Sequence, residues 1–173
     1  MTLLEARELC GAATGRNGGQ LRPHLYSRYP KWSERFGPDV AMDLIRHELA
    51  HLSAFKQLAE EEGITEEVCL KFGETFDAAM TEEALVRLKG ALEAMRKDQG
   101  DDNDIVKLCK LIENPRQAEE FSQMKGAIGV IAHPAGQMSV PLSRIASNTP
   151  DRFLDGHTNL CMRFYASFSR KAT

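Results

Sequence analysis

No apolar stretch of this chain approaches the roughly 20 residues that a membrane-spanning helix needs. The opening Met1–Glu8 lacks a basic segment followed by a long apolar one, so no secretory leader is expected. Neither sign of charge dominates. The formal net charge is −3 and the basic residues are interspersed with acidic ones, which gives no field able to gather nucleic acid or an anionic membrane. Cysteine is sparse and scattered: Cys10, Cys69, Cys109 and Cys161 form no CxxC pair. A disulfide framework is therefore not expected, and reduced thiols in a cytoplasmic protein are. Repeats and low-complexity tracts are missing too, and the final Lys171-Ala172-Thr173 is no peroxisomal address.

What is present is a globular composition, 42% apolar and 27% charged over 173 residues, enough for one domain or part of a larger one. Thr2-Leu3-Leu4-Glu5-Ala6 reads as a short buried strand closing on an acid. Pro23, Pro30 and Pro38 punctuate a stretch with Tyr26, Tyr29 and Trp32 that reads as irregular. Met42, Ile45, Leu49, Leu52 and Phe55 recur at spacings of three and four, predicting a helix from Asp39 to about Glu62 with Gly63 as its stop. Val68–Met80 alternates imperfectly and reads as a strand or bent hairpin arm. Thr81 opens a second helix with Leu85, Leu88, Leu92 and Met95 on one face and Gly100 beyond its end. Ile105–Ile112 reads as a short strand. Asn114-Pro115 fits an N-cap and first position of a helix ending near Ser122. Gly126–Ala132 reads as an apolar strand, and Pro141–Ser147 as the start of another helix. The alternation of strands and helices implies a mixed α/β or α+β fold.

The glycine-dense segment carries the functional signal. Gly11 to Gly19 is too rich in small residues for a regular element, and implies a loop that needs positive φ or is approached closely by something. Leu4-Glu5-Ala6-Arg7, followed by Thr14, Gly15, Arg16, Asn17, Gly18, Gly19 and Gln20, resembles the "EAR…GATGRNGGQ" signature of the D-amino-acid oxidase superfamily. The nearest branch is that of γ-glutamylputrescine oxidase-like and fungal FAD-dependent oxidoreductases. Looser similarity runs through the Leu44–Leu58 helix, Phe76-Asp77 and Gly126 to Ala135, covering about residues 1–147.

This resemblance implies part of an FAD-binding Rossmann-like domain with part of a substrate domain. Residues 1–38 would be a remnant of the former, 39–147 segments of both, and 148–173 a divergent tail. The resemblance gives Glu5 and Arg7 to the adenosine end of FAD. Thr14, Gly15, Arg16, Asn17, Gly18, Gly19 and Gln20 would line the flavin. Because Gln20 cannot form a covalent bond to the ring, FAD would be non-covalent. Pro134 to Gln137 would lie where the two domains of the family meet. The implied activity is oxidation of a small amine or amino acid by hydride transfer to flavin. The family's GxGxxG phosphate loop, expected about 20 residues before Glu5, has no counterpart here, so a truncated enzyme or a non-catalytic remnant or interaction protein is the expectation.

A second motif competes. His47-Glu48-Leu49-Ala50-His51 matches HExxH on a predicted helix, where the two histidines share a face and Glu48 can activate a zinc-bound water. A zinc metallohydrolase would still need a third ligand, with Glu66, Glu67 or Glu74 as candidates, and the bland alternative is a pair of partly exposed histidines. Tyr26, Tyr29 and Trp32 read as packing anchors before pocket walls. Arg22 and His24 are expected to face solvent, though a guanidinium there could meet a carboxylate. The acidic run Asp101–Asp104 reads as a solvated turn.

Overall fold

The computed structural model describes residues 17–138. Most of them form one compact unit, Gln20–Thr65 with Cys69–Met138; Asn17–Gly19 and Glu66–Val68 belong to a second unit. The strand expected at 2–6 and the helix expected from Pro141 lie outside the described residues.

In chain order the elements are β1 (Gln20–Leu21), α1 (Tyr29–Phe36), α2 (Pro38–Glu61), β2 (Lys71–Ala79), α3 (Glu82–Gln99), α4 (Asp104–Lys107), β3 (Lys110–Ile112), α5 (Pro115–Ser122) and β4 (Gly129–Gln137). The fold is mixed α/β. Its sheet is antiparallel throughout, and β4 is its axis. β2 pairs with the whole of β4, from Lys71↔Gln137 to Ala79↔Gly129. On the opposite edge β1 takes the end of β4, with Gln20↔Gln137 and Leu21↔Gly136. β3 takes its start, with Lys110↔Ala132 to Ile112↔Val130. The parallel pairing of a nucleotide-binding unit does not occur among the described residues.

Successive strand residues point to opposite faces, and the two cores follow from that. Ile131 joins the larger one, with Leu25, Tyr26, Tyr29, Met42, Ile45, Leu92, Met95, Ile105 and Val106. Val130 faces the other way, onto Ala118 of α5 and Ala127, with Phe76, Ala78 and Ile112 packed around them. Helices α1–α4 thus cover one face and α5 the other.

The long helices end where their chemistry requires. Thr81 Oγ1 accepts the Ala84 N–H at 3.2 Å, Glu82 and Glu83 occupy the first turn of α3, and Arg96 and Lys97 the last. Both charge placements favour the helix dipole. Asn114 Oδ1 accepts from Arg116 and Gln117 to open α5, with Pro115 fixed at helical φ. Gly37, at φ +87°, donates to Ser33 O to close α1 and accepts from Ala41 N to open α2. A residue with Cβ is strained in that conformation.

Four expectations are corrected. The stretch from Pro23 to Trp32 is not irregular to its end: Pro30 sits in the first turn of α1, and Tyr29 is tied to α3 by its hydroxyl, which donates to Asp98 at 3.0 Å. Ile105–Ile112 is not one strand. Asn103 Oδ1 accepts from Ile105 and Val106 N–H, winding a helical turn before β3. The arm from Val68 starts as strand only at Lys71, because Leu70 N closes a turn onto Thr65 O and Cys69 takes φ +48°. The strand from Gly126 to Ala132 is displaced to Gly129–Gln137. Gly126 belongs to a turn, and pairing with β2 carries the strand through Pro134 and Gly136, residues that alone signal a break. Pro134 falls in the part of β4 that neither β1 nor β3 pairs with.

Leu92 is fully buried in the larger core. Leu92→Ala is expected to lower unfolding stability by about 2–5 kcal/mol, measured by urea denaturation at neutral pH. Asn114→Ala, which removes only a cap, should cost about 1 kcal/mol.

Candidate functional site

Of the residues assigned to FAD, Glu5, Arg7, Thr14, Gly15 and Arg16 lie outside the described residues. Asn17, Gly18 and Gly19 form a tight turn in which Asn17 Oδ1 accepts the Gly19 N–H at 2.8 Å, with Gly19 at φ +68°. That local bond and the positive φ account for an Asn two residues before a Gly. Gly18 has no atom within 4 Å of where a Cβ would stand, so its backbone is open to close approach. The chain then enters β1 at Gln20.

Alternation places Gln20 and Arg22 on the same sheet face as Lys71, Gly73, Thr75 and Asp77 of β2 and His133, Ala135 and Gln137 of β4. At the end of this face lies a recess of about 260 Å³, bordered by Gln20, Arg22, Lys71, Thr75 and Gln137 around the small residues Gly73 and Ala135. Deeper along the face is a polar cluster that periodicity did not reveal. Asp77 accepts the Tyr26 hydroxyl at 2.6 Å and pairs with Arg22. The Tyr26 ring meets His133 edge-on, 6.1 Å between centroids. His133 is 2% exposed, with Nδ1 3.2 Å from Pro134 O. Arg22 is therefore not a solvent-facing residue: its side chain keeps 33% exposure and is committed to Asp77 at one end. The one sequence signal for this cluster was His133 inside the otherwise uncharged β4; Asp77 is one of three charged residues in β2 and was not marked out.

Burial and pairing compete within the cluster. Desolvation pushes the Asp77 carboxyl up, but hydrogen bonds from Tyr26 and Arg22, with the guanidinium charge, outweigh it and hold the carboxyl below its ordinary 3.8. Burial, with the hydrogen bond to Asp77, raises the Tyr26 phenol far above its usual range. Burial also lowers His133 below 6.5, against the opposing pull of the Pro134 carbonyl. Cys109, buried against α4, is pushed up to about 12 by desolvation and is no nucleophile at neutral pH.

His47 and His51 do share a face of α2. Their rings stand 4.9 Å apart, nearly perpendicular, and His51 Nδ1 lies 2.8 Å from His47 O. Glu48 is used elsewhere: its carboxylate accepts the His24 N–H at 2.7 Å and lies 4.0 Å from Arg28. Among the described residues no group of three or more His, Cys, Asp or Glu is placed to hold a metal. No described helix is long and apolar enough to cross a membrane.

The recess is smaller than the roughly 300–1,000 Å³ of pockets that enclose drug-sized ligands, so it does not enclose a dinucleotide. The open backbone at Gly18 is the described feature on which a flat ring would have to lie. No protein-family model, curated protein or solved structure matches the chain.

The cluster makes stability depend on pH. His133 has a folded pKa below its unfolded value, so the folded state takes up a proton less readily. Its contribution is full above 6.5 and is lost as pH falls from there through the folded value. Asp77 adds a second loss, beginning below about 3.8. Thermal melting between pH 7.5 and 5 should show a falling Tm in the native chain and a flatter profile in His133→Gln. Equal slopes would show that His133 does not titrate differently on folding.

Proposed function

We propose that this chain is an FAD-dependent oxidoreductase acting on a small amine or amino acid. The observation that supports the reading is a register. Gln20, the last residue of the glycine string, pairs with Gln137, and Leu21 with Gly136. The residue that ends the glycine string and the one that ends the Pro134–Gln137 segment thus face each other across one recess. Asn17, Gly18, Gly19 and Gln20 are the described residues that would hold the cofactor, through backbone and amide groups. Bound flavin supplies the acceptor for a hydride leaving the carbon next to the amine nitrogen. The chain's own part is orientation: Arg22 is paired with Asp77, which Tyr26 also bonds, and a small substrate beside it would lie against the sheet.

The full chain, expressed and purified with excess FAD and then desalted, is expected to keep the two flavin absorbance bands. Asn17→Ala with Gln20→Ala should weaken retention about three- to tenfold, the effect of losing one ordinary hydrogen bond. A folded but colourless protein would sink the oxidoreductase reading and leave the non-catalytic interaction protein. Stoichiometric zinc that disappears in His47→Ala would move the assignment to the HExxH metallohydrolase.

A further inference from the structure

We propose that the recess over Gly73 and Ala135 binds a carboxylate group, received by the Lys71 ammonium and the outer N–H groups of Arg22. This goes beyond the flavin reading and does not require it, since every residue involved lies in the unit built around β4.

Three observations point to this ligand chemistry. The first is charge. Arg22 is balanced by Asp77, and the Glu74 carboxylate, which also lines the recess, is paired with Lys110. Lys71 forms no ion pair among the described residues, so the recess carries one uncompensated positive charge, which matches a monoanion. The second is directional. Arg22 meets Asp77 through one terminal nitrogen, and its guanidinium forms no other hydrogen bond among the described residues. Asp77 is itself anchored by Tyr26, so Arg22 is held at the recess with N–H groups left over, the group that carboxylates accept in a bidentate manner. The third is space. A Cβ at Gly73 would meet nothing within 4 Å, leaving a depression of about 260 Å³. The Gln20 and Gln137 amides and the Thr75 hydroxyl border it, and supply further donors and acceptors for the body of a small molecule.

Backbone amide NMR titration of the full chain at low salt tests the assignment. Acetate and N-acetylglycine are expected to shift the resonances of Gly73, Thr75, Ala135 and Gly136 to saturation, and the neutral N-acetylglycinamide is expected not to. Lys71→Gln should weaken the apparent Kd about three- to tenfold, as fits a partly exposed charge contact. Gly73→Val, whose Cβ meets nothing within 4 Å, should fill the depression and abolish the shifts while Tm is kept. A short peptide with a free C-terminus that binds more tightly than acetate would make the natural carboxylate a chain end; equal binding would make it a free small acid. The proposal fails if the neutral amide titrates like the acid, if inorganic phosphate binds more tightly than acetate, or if both variants bind like the native chain.

Discussion

Every sheet contact among the described residues runs through β4. It is hydrogen-bonded along its full length to β2, and it divides its other edge between β1 and β3. This one strand therefore fixes which residues can be neighbours. Its alternation sends Ile131, His133 and Ala135 toward the α1–α4 side and Val130 and Ala132 toward α5. A slip of one residue would exchange the two sets, placing His133 on the α5 side and Ala132 or Pro134 opposite Tyr26. Two separate apolar clusters, one on each side, disfavour such a slip.

The same register gathers the polar cluster. A carboxylate inside a strand that faces a helical layer would be costly without partners. Asp77 has two, Tyr26 and Arg22, and both come from the segment joining β1 to α1. A third tie is made by the His24 N–H to Glu48 of α2. The segment that contains Pro23 is thus pinned to the sheet at two residues and to α2 at a third. Those ties limit where the Arg22 guanidinium, which also lines the recess, can lie.

The glycine string and the recess show how a motif and a site can differ. Asn17 and Gly19 are explained by local chemistry, an Asx bond and a positive φ. Gly73 has no such backbone demand, and its importance comes from what it leaves empty. Gly136 differs again, because a Cβ there would meet the Phe72 ring at 3.1 Å and the Lys71 carbonyl oxygen at 3.3 Å. Its lack of a side chain is what lets β2 and its Phe72 lie close on β4.

Helices α2, α3 and α5 were legible in the chain because the information for them is local: apolar spacing of three and four, the caps Thr81 and Asn114, and the stops Gly63 and Gly100. The presence of strands in the regions of β2 and β4 was legible too, though not their ends. Long-range pairing decided those. Hydrogen bonds to β2 carry β4 past Pro134 and Gly136, and the Thr65–Leu70 turn delays β2 to Lys71. The partners of Asp77 and His133, and the recess over Gly73 and Ala135, were decided only when three strands distant in sequence came into register. A periodic pattern records which face a residue takes. It holds no record of which other residue will stand opposite, because that depends on chain segments whose separation in sequence the pattern does not encode.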